Sequence, residues 1–423
     1  MKSAILPKLP GWCRAYHYAL IGNSARHRLI NTPLHSRPEL LVQASVDALH
    51  KSGVDTEFRG DRPNTFIADD WLVEWTEGDI ESHLSNRTVA IDAIGVLPDQ
   101  SVLDPLNGRT QLSSLVLSAD TNKIEKGPLT GLQTIALASE IKAELSAQTL
   151  TEIRENVHRV YDAPRTEIRH WLTQLLIGRG VYQALGYLQN TRLLAFLLPE
   201  VDTLVDFHLS SKAHHKDVWN HTRQVVQQAK PTPVLRWAAL LHDVGKFQTR
   251  SFTPSGKVQF LRHDAVGAYI FDGISARLNF PQIMAEKIRL LILYHLRPAM
   301  YDPSWSDSAI RRFATQLKPA LPELLQLAKA DITTKRTETR RKTLFRLREL
   351  TTRVENELDS LSSKKVLVPS GLGKIIIEQL GIAPGPRVGE LRRLCEQAVR
   401  NGELASDGSV ESFVDFLKKE IAA

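Results

Sequence analysis

Hydrophobic and polar positions alternate in two short runs near the start of the chain, then settle into three- and four-residue spacing over most of the remaining length. In "DWLVEWT" (70–76), Trp71, Val73 and Trp75 fall on one face and Asp70, Leu72 and Glu74 on the other, the period-two signature of a strand. "TVAIDAIGVLPDQSVLDP" (88–105) offers a second alternating run, a Pro-Asp turn and a short return strand. Together they predict a small mixed sheet with a hairpin. From residue 128 onward the pattern turns helical. "LTEIRENVHRVY" (150–161) and "TEIRHWLTQLLIGRG" (166–180) each carry an acidic residue in the first turn, and Gly178 and Gly180 end the second. Helical segments run on to residue 362. "DSLSSKK" (359–365) is the best linker, and "VPSGLGK" and "GIAPGPRVGELRRLC" mark a small helical unit with Gly/Pro turns. The predicted class is α+β: a mixed-sheet N-terminal domain over 1–125, a helical connector over 126–204, a helical bundle over 205–360 and a C-terminal helical tail over 366–423.

One apolar stretch raises a chemical question. "RWAALLHDVGKF" reads as a buried helix with Gly245 as its stop, yet it sets His242 and Asp243 where burial without partners costs several kcal/mol. A divalent cation held by both side chains would compensate, because it turns the buried carboxylate into a ligand. Further candidates come after other apolar runs: His221 in "VWNHTRQVV", His263 in "FLRHDAVGAYI", His295 closing "IRLLILYHLRP" and Asp331 closing "LLQLAKAD". Successive groups are 20 to 36 residues apart, too far for a zinc knuckle but natural for helices of one bundle converging on its core. Imidazole plus carboxylate without thiolate suits one or two ions of Mn, Co, Ni, Fe, Mg or catalytic Zn, and a pair of such ions is a device for phosphoester hydrolysis. Lys246, one turn from Asp243, is placed to meet a phosphate oxygen.

Composition narrows the rest. The chain has 423 residues, 42% hydrophobic and 24% charged, with only two cysteines, Cys13 and Cys395. A disulfide framework or a cysteine-rich zinc site is excluded, and a reducing, cytoplasmic setting is expected. No stretch approaches the ~20 apolar residues of a membrane span. The formal charge of +7 is compatible with a phosphate-bearing partner without requiring one. The cations concentrate in "TTKRTETRRKTLFRLREL" (333–350), directly after Asp331. There Lys335, Arg336, Arg340 and Arg341 are the candidates for contact with an RNA backbone.

The order His221, His242-Asp243, Asp331 resembles the H…HD…D pattern of HD-superfamily metal-dependent phosphohydrolases, over residues 205–340. His263 and His295 resemble the two extra histidines of members with two metals. The resemblance implies His221, His242, Asp243 and Asp331 as first-metal ligands, His263 and His295 for the second, with Asp243 bridging. The whole chain also resembles a bacterial CCA-adding tRNA nucleotidyltransferase or poly(A) polymerase. "YALIGNSARHRLI" (18–30) is similar to that family's strand, Gly-Gly loop and V-R-D helix. "SNRTVAIDAIGVLPDQSVLDPLNG" (85–108) is similar to its R-R-D-F-T-I-N-A segment, and "LGIAPGPRVGELRRL" (380–394) to its C-terminal P-G-P-x-x-G-x-L.

The departures fall on the chemistry. Gly-Gly stands as Gly22-Asn23, V-R-D as Ala25-Arg26-His27, D-x-D as Arg37-Pro38-Glu39 and R-R-D as Asn86-Arg87-Thr88. The arginine-bearing segment stands as "LTGLQTIALA" (129–138). Two-metal nucleotidyl transfer needs a Gly-rich turn and clustered carboxylates. The expectation is therefore a degenerate nucleotidyltransferase-like domain, inactive at Gly22, Asn23, His27, Arg37, Glu39 and Thr88, carried on a working phosphohydrolase. Asp243 and Lys246 would be catalytic there, on a phosphomonoester or 2′,3′-cyclic phosphodiester of a nucleotide or RNA or tRNA end. The alternatives are an active CCA-adding or tailing enzyme and a non-catalytic RNA-binding scaffold. Oligomeric state is left open.

Overall fold

The computed structural model describes residues 6–30, 37–54, 64–119, 124, 127–205, 207, 217–256, 258–363, 368–405 and 408–422. Its first element of consequence is a six-stranded sheet built from β1 (His17–Ile21), β2 (Glu39–Gln43), β3 (Thr65–Ala68), β4 (Trp71–Thr76), β5 (Gly95–Val96) and β6 (Val102–Leu103), in the order β3-β4-β2-β1-β5-β6. The β2–β4 pair is parallel and the others antiparallel, so the sheet is mixed. β1 runs straight into helix α1 (Gly22–Ile30). The β3–β4 hairpin turns on Asp69 and Asp70, both at positive φ (48° and 68°), the backbone that two-residue hairpin loops need.

Both faces of the sheet are covered. Leu40, Val42, Phe66, Trp71 and Val73 pack with Cys13, Leu49 and Val54. Ala19, Ile21 and Leu41 pack on the other side with Ile80 and Leu84. The face predicted for Trp71 and Val73 is thus the core face. The second alternating run is only half a strand. β5 and β6 form the hairpin around Pro98-Asp99, with the Ser101 amide donating to Asp99 Oδ1 at 2.9 Å. Ala90–Asp92, however, coils into a 3-10 turn. The Gly108–Ser114 helix approaches so closely that a Cβ on Gly108 would overlap the Ala90 carbonyl, and a ladder strand has no room beneath it.

A two-residue parallel pair, β7 (Val116–Leu117) and β8 (Glu144–Leu145), flanks helix α2 (Thr130–Ile141). The bundle after it contains α3 (Val218–Gln228), α4 (Pro233–Leu241), α5 (His263–Arg277), α6 (Gln282–Tyr294), α7 (Leu321–Asp331) and α8 (Thr337–Ser363). Proline at the first position of α4 loses no hydrogen bond, and every residue from Leu235 to Val244 is buried. Between α4 and α5 lies a hairpin that the helical reading overlooks: β9 (Arg250–Phe252) and β10 (Val258–Phe260). The α+β class, a mixed-sheet front and a mostly helical remainder, is borne out.

The chain divides into two compact units, 1–303 with 317–348, and 304–316 with 349–423. The second has its own core of Val368, Leu372, Ile376, Leu391, Cys395, Phe413 and Leu417, and Arg311–Glu357 (2.9 Å) and Arg353–Asp307 (2.7 Å) ion pairs. No helix of the described residues is long and apolar enough to cross a membrane.

Candidate functional site

The six predicted His and Asp side chains meet in one place. α4 ends at Leu241, so His242 closes the helix and Asp243 lies in the turn beyond it. Gly245 does not stop the helix through a left-handed conformation, since its φ is −74°. It is there because the start of α5 packs against it, and a Cβ would overlap the His263 carbonyl and lie 2.7 Å from the Gly267 nitrogen. That contact delivers His263 to Asp243. His221 comes from α3, His295 closes α6 and Asp331 closes α7. His242, Asp243, His263 and His295 are all at least nine-tenths buried.

Donor atoms fall into two groups, His221–His242–Asp331 and Asp243–His263–His295, each with its ligand atoms within 4.8 Å of one another. Asp243 lies between them. Its Oδ2 is 3.6 Å from His221 Nε2 and 3.3 Å from His242 Nε2, and its Oδ1 is 3.5 Å from His263 Nε2 and 3.9 Å from His295 Nε2. His221 Nε2 is 3.0 Å from Asp331 Oδ1.

The second nitrogens set the tautomers. His242, His263 and His295 donate through Nδ1 to the carbonyls of Ala239, Phe260 and Ile292 at 2.9, 2.8 and 2.7 Å. A carbonyl only accepts, so each Nε2 of a neutral ring carries a lone pair. Two of these lone pairs, on His263 and His295, face each other at 3.3 Å, and His242 Nε2 is buried with no hydrogen-bond partner among the described residues. Facing lone pairs and an orphaned acceptor beside carboxylates are the donor set of a bound cation. The residues present fit one or two divalent ions, with nitrogen and oxygen donors that leave the metal's identity open.

Electrostatics are consistent with that. Burial would raise the Asp243 carboxyl, but His242 and Lys246, whose ammonium is 2.6 Å from Oδ2, hold it well below the usual carboxylate range. Burial would lower His242, and Asp243 and Asp331 outweigh it, so the ring is held above its ordinary value. His295, pressed by burial and by His242, drops to about 4. Burial would raise Asp331, but the hydrogen bond from His221 brings it to about 2. A cavity of about 290 Å³ opens on the centre, lined among others by His295, Tyr301, Asp331, Thr334, Thr343 and Arg346. Beside it, a cavity of about 460 Å³ is lined by Tyr182, Gln224, Thr333, Lys335 and Arg340. Arg336 precedes α8, and Arg341 lies on it 3.5 Å from Glu338, where both are exposed. Sequence reasoning missed Thr333, whose hydroxyl lies 2.9 Å from His221 Nδ1.

The sheet domain brings together charges that lie far apart in the sequence. Gly22 (φ 51°) opens α1 in the left-handed region that favours glycine, and the Glu39 carboxylate lies against it. Asn23 Nδ2 donates to the Arg37 carbonyl at 2.9 Å, and the Glu39 amide to Ser24 Oγ at 2.6 Å. On β2 the residues sharing a face are Glu39 and Leu41, and Arg37 lies before the strand. The parallel register sets Glu74 beside Leu41, on the face of Glu39. Arg26 forks onto Glu140 at 2.9 and 2.7 Å and reaches Asp92 at 3.1 Å. Arg87 donates to Glu74 at 2.6 Å and lies 3.7 Å from Asp92, and His83 meets the other Glu74 oxygen at 2.6 Å. Burial would lower both guanidinium groups, but Glu140 and Asp92 for Arg26, and Glu74 and Asp92 for Arg87, hold them above their ordinary values, and Glu39 adds to each. Thr88 donates to Gln133 at 2.7 Å, and His27 lies on α1, half-buried.

Residues 213–335 match the HD domain family. The chain is 28% identical over 348 residues to the A-adding tRNA nucleotidyltransferase of Deinococcus radiodurans, covering 79% of each chain. It is 27% identical over 355 residues to the CC-adding tRNA nucleotidyltransferase of Thermus thermophilus, covering 80% of this chain and 77% of that one. Its fold is similar to the Bacillus stearothermophilus CCA-adding enzyme in complex with CTP, with a TM-score of 0.52 and 17% identity over 97% of this chain and 95% of that one.

These relatives overturn the expectation of a phosphohydrolase with an inactive front domain. They are nucleotidyltransferases, and the matched share of this chain is longer than residues 126–423, so it reaches into the sheet domain. The expectation counted carboxylates lost from consecutive motifs. The fold sets other carboxylates there, Glu74 from β4, Asp92 from the 3-10 turn and Glu140 from α2, each paired with Arg26 or Arg87.

Proposed function

We propose that this chain is a tRNA nucleotidyltransferase-type enzyme, adding nucleotides to the 3′ end of a tRNA in its front cleft. The observation that carries the reading is the resemblance to A-adding and CC-adding enzymes over about four-fifths of the chain. The cleft supports it. A glycine-opened turn admits a close approach to the backbone at the start of α1, and the Glu39 carboxylate lies against it. Arg26 and Arg87, paired with Glu140, Asp92 and Glu74, hold this set of charges in fixed positions behind the start of α1. A magnesium ion accompanying the nucleotide would neutralise the charge that develops on the phosphates, and Glu39, against the start of α1, is the carboxylate placed to hold it. This chain's residues orient the nucleotide and hold that carboxylate in place. The two His/Asp groups are a separate centre for one or two divalent ions, and Lys335, Arg336, Arg340 and Arg341 meet phosphates of the RNA.

The test is incorporation of radiolabelled ATP and CTP into tRNA transcripts ending before the first C, after the first C and after the second, by the purified full chain. Incorporation with at least one transcript, lost in Glu39→Gln, is expected. Silence with all three, from folded protein with magnesium and manganese, overturns the reading.

A further inference from the structure

Four phenylalanines and two cations form a continuous surface from the β9–β10 hairpin to the buried His/Asp centre. Phe207 and Phe260, ring centroids 5.6 Å apart, make the base, packed on Leu204 and Val218. Phe247 meets Phe207 at 6.2 Å. Phe247 and Phe252 are 51% and 57% exposed, and Leu261 beside them 66%. Arg250 bridges the group, its guanidinium 5.5 Å from the Phe207 ring and 5.0 Å from that of Phe252. Lys246 lies 5.6 Å from the Phe260 ring while its ammonium pairs with Asp243, and the Phe260 carbonyl fixes His263. The surface therefore leads directly into the centre.

Its charge selects an anion. From Val244 to His263 the sequence has four Lys or Arg residues, Lys257 among them, and no Asp or Glu. Exposed phenyl faces cost solvation with nothing packed on them. A partner that offers flat π-faces and a phosphate every few ångströms satisfies both features, because base–aromatic stacking tolerates any base and cations track the backbone.

We propose that this hairpin surface is a stacking platform for single-stranded RNA, with Phe247 and Phe252 under successive bases and Arg250 and Lys246 facing the intervening phosphates. It rests on the reading that the chain handles an RNA end, and it assigns a stretch of that RNA to the bundle rather than to the front cleft.

The test is fluorescence anisotropy of a 5′-labelled twelve-nucleotide oligoadenylate with the full chain, across a salt series. Phe247→Ala/Phe252→Ala is expected to weaken binding at least about tenfold with the salt slope unchanged. Phe252→Trp should retain binding. Arg250→Ala should shallow the salt slope by about one. A twelve-base-pair RNA duplex, whose bases are already stacked, should be insensitive to the double alanine variant. Equal oligoadenylate affinity of the parent and the double variant overturns the platform. So does phenylalanine-dependent binding to phosphatidylglycerol vesicles without such dependence on RNA. The parent's nucleotide incorporation separates the two readings. Incorporation with phenylalanine-independent RNA binding sinks the platform alone, and phenylalanine-dependent binding without incorporation sinks the transferase alone.

Discussion

Gly245→Ala is the sharpest single perturbation of the His/Asp centre. At φ −74° and ψ −9° alanine meets no backbone penalty, and the stiffer unfolded chain should add about 0.4–1 kcal/mol of stability. Only sterics oppose it. The new Cβ overlaps the His263 carbonyl and lies 2.7 Å from the Gly267 nitrogen and 3.0 Å from the His263 carbonyl carbon, where ordinary contact starts at 3.4 Å. All three are backbone atoms of α5, so no rotamer relieves them, and overpacking of this kind costs about 1–3 kcal/mol. The net loss is about 1–2 kcal/mol, a fall in Tm of about 1–3 °C for a unit of this size. The displaced element carries His263 and none of His221, His242 or Asp331. Calorimetric titration with manganese should show the Asp243–His263–His295 group weakened at least about tenfold and the other group near parent affinity. Gly273→Ala is the control: it lies in the same helix with nothing within 4 Å of its Cβ, and should raise stability by up to about 1 kcal/mol. A Gly245→Ala protein with parent Tm and both groups intact would refute the packing argument.

Arg26→Lys keeps the charge but loses the fork onto Glu140 and the reach to Asp92. It should cost about 3 kcal/mol, measured as a lower denaturant midpoint, because two carboxylates lose their partner in a largely buried cleft. In EDTA, stability should fall as pH drops. Burial, then His242, lowers folded His295 to about 4 from an ordinary 6.5, so the unfolded chain takes up the proton first. Its contribution, about 3 kcal/mol, is present above pH 6.5 and lost toward pH 4. His295→Gln should flatten that part of the Tm profile, and an unchanged slope would remove His295 as its source. Lys335→Ala with Arg340→Ala should weaken tRNA binding across sequences and shallow its salt slope by about two, with parent-like affinity at every salt counting against phosphate contact there.

The His/Asp centre was legible because each of its residues ends or interrupts an apolar helix, where a polar side chain must be compensated. His242, His295 and Asp331 all stand at such ends. The front cleft was not. Glu140 is 114 residues from Arg26, and nothing in either segment announces the other. Glu74 did carry a signal, since it alternates with Leu72 on a strand whose two faces are both covered, and a charge so placed needs a partner. The place of Asp92 beside Arg26 was not legible because Val89 and Ile91 look like strand positions, although both are buried in a turn that Gly108 pins. The β9–β10 hairpin escaped because its alternation is only three residues long on each side.

The carbonyls of Ala239 and Ile292 belong to the last turns of α4 and α6, where backbone oxygens run out of helical partners. The imidazoles that occupy them finish each helix and aim a nitrogen in the same act. The aim is paid for by the fold and needs no ion to maintain it. An ion can therefore leave and be replaced on the folded protein, without the collapse seen when a small zinc module is stripped. Exchange should be governed by passage through the cavity at Tyr301 and Arg346 rather than by refolding, so the centre would take whichever divalent ion its surroundings supply.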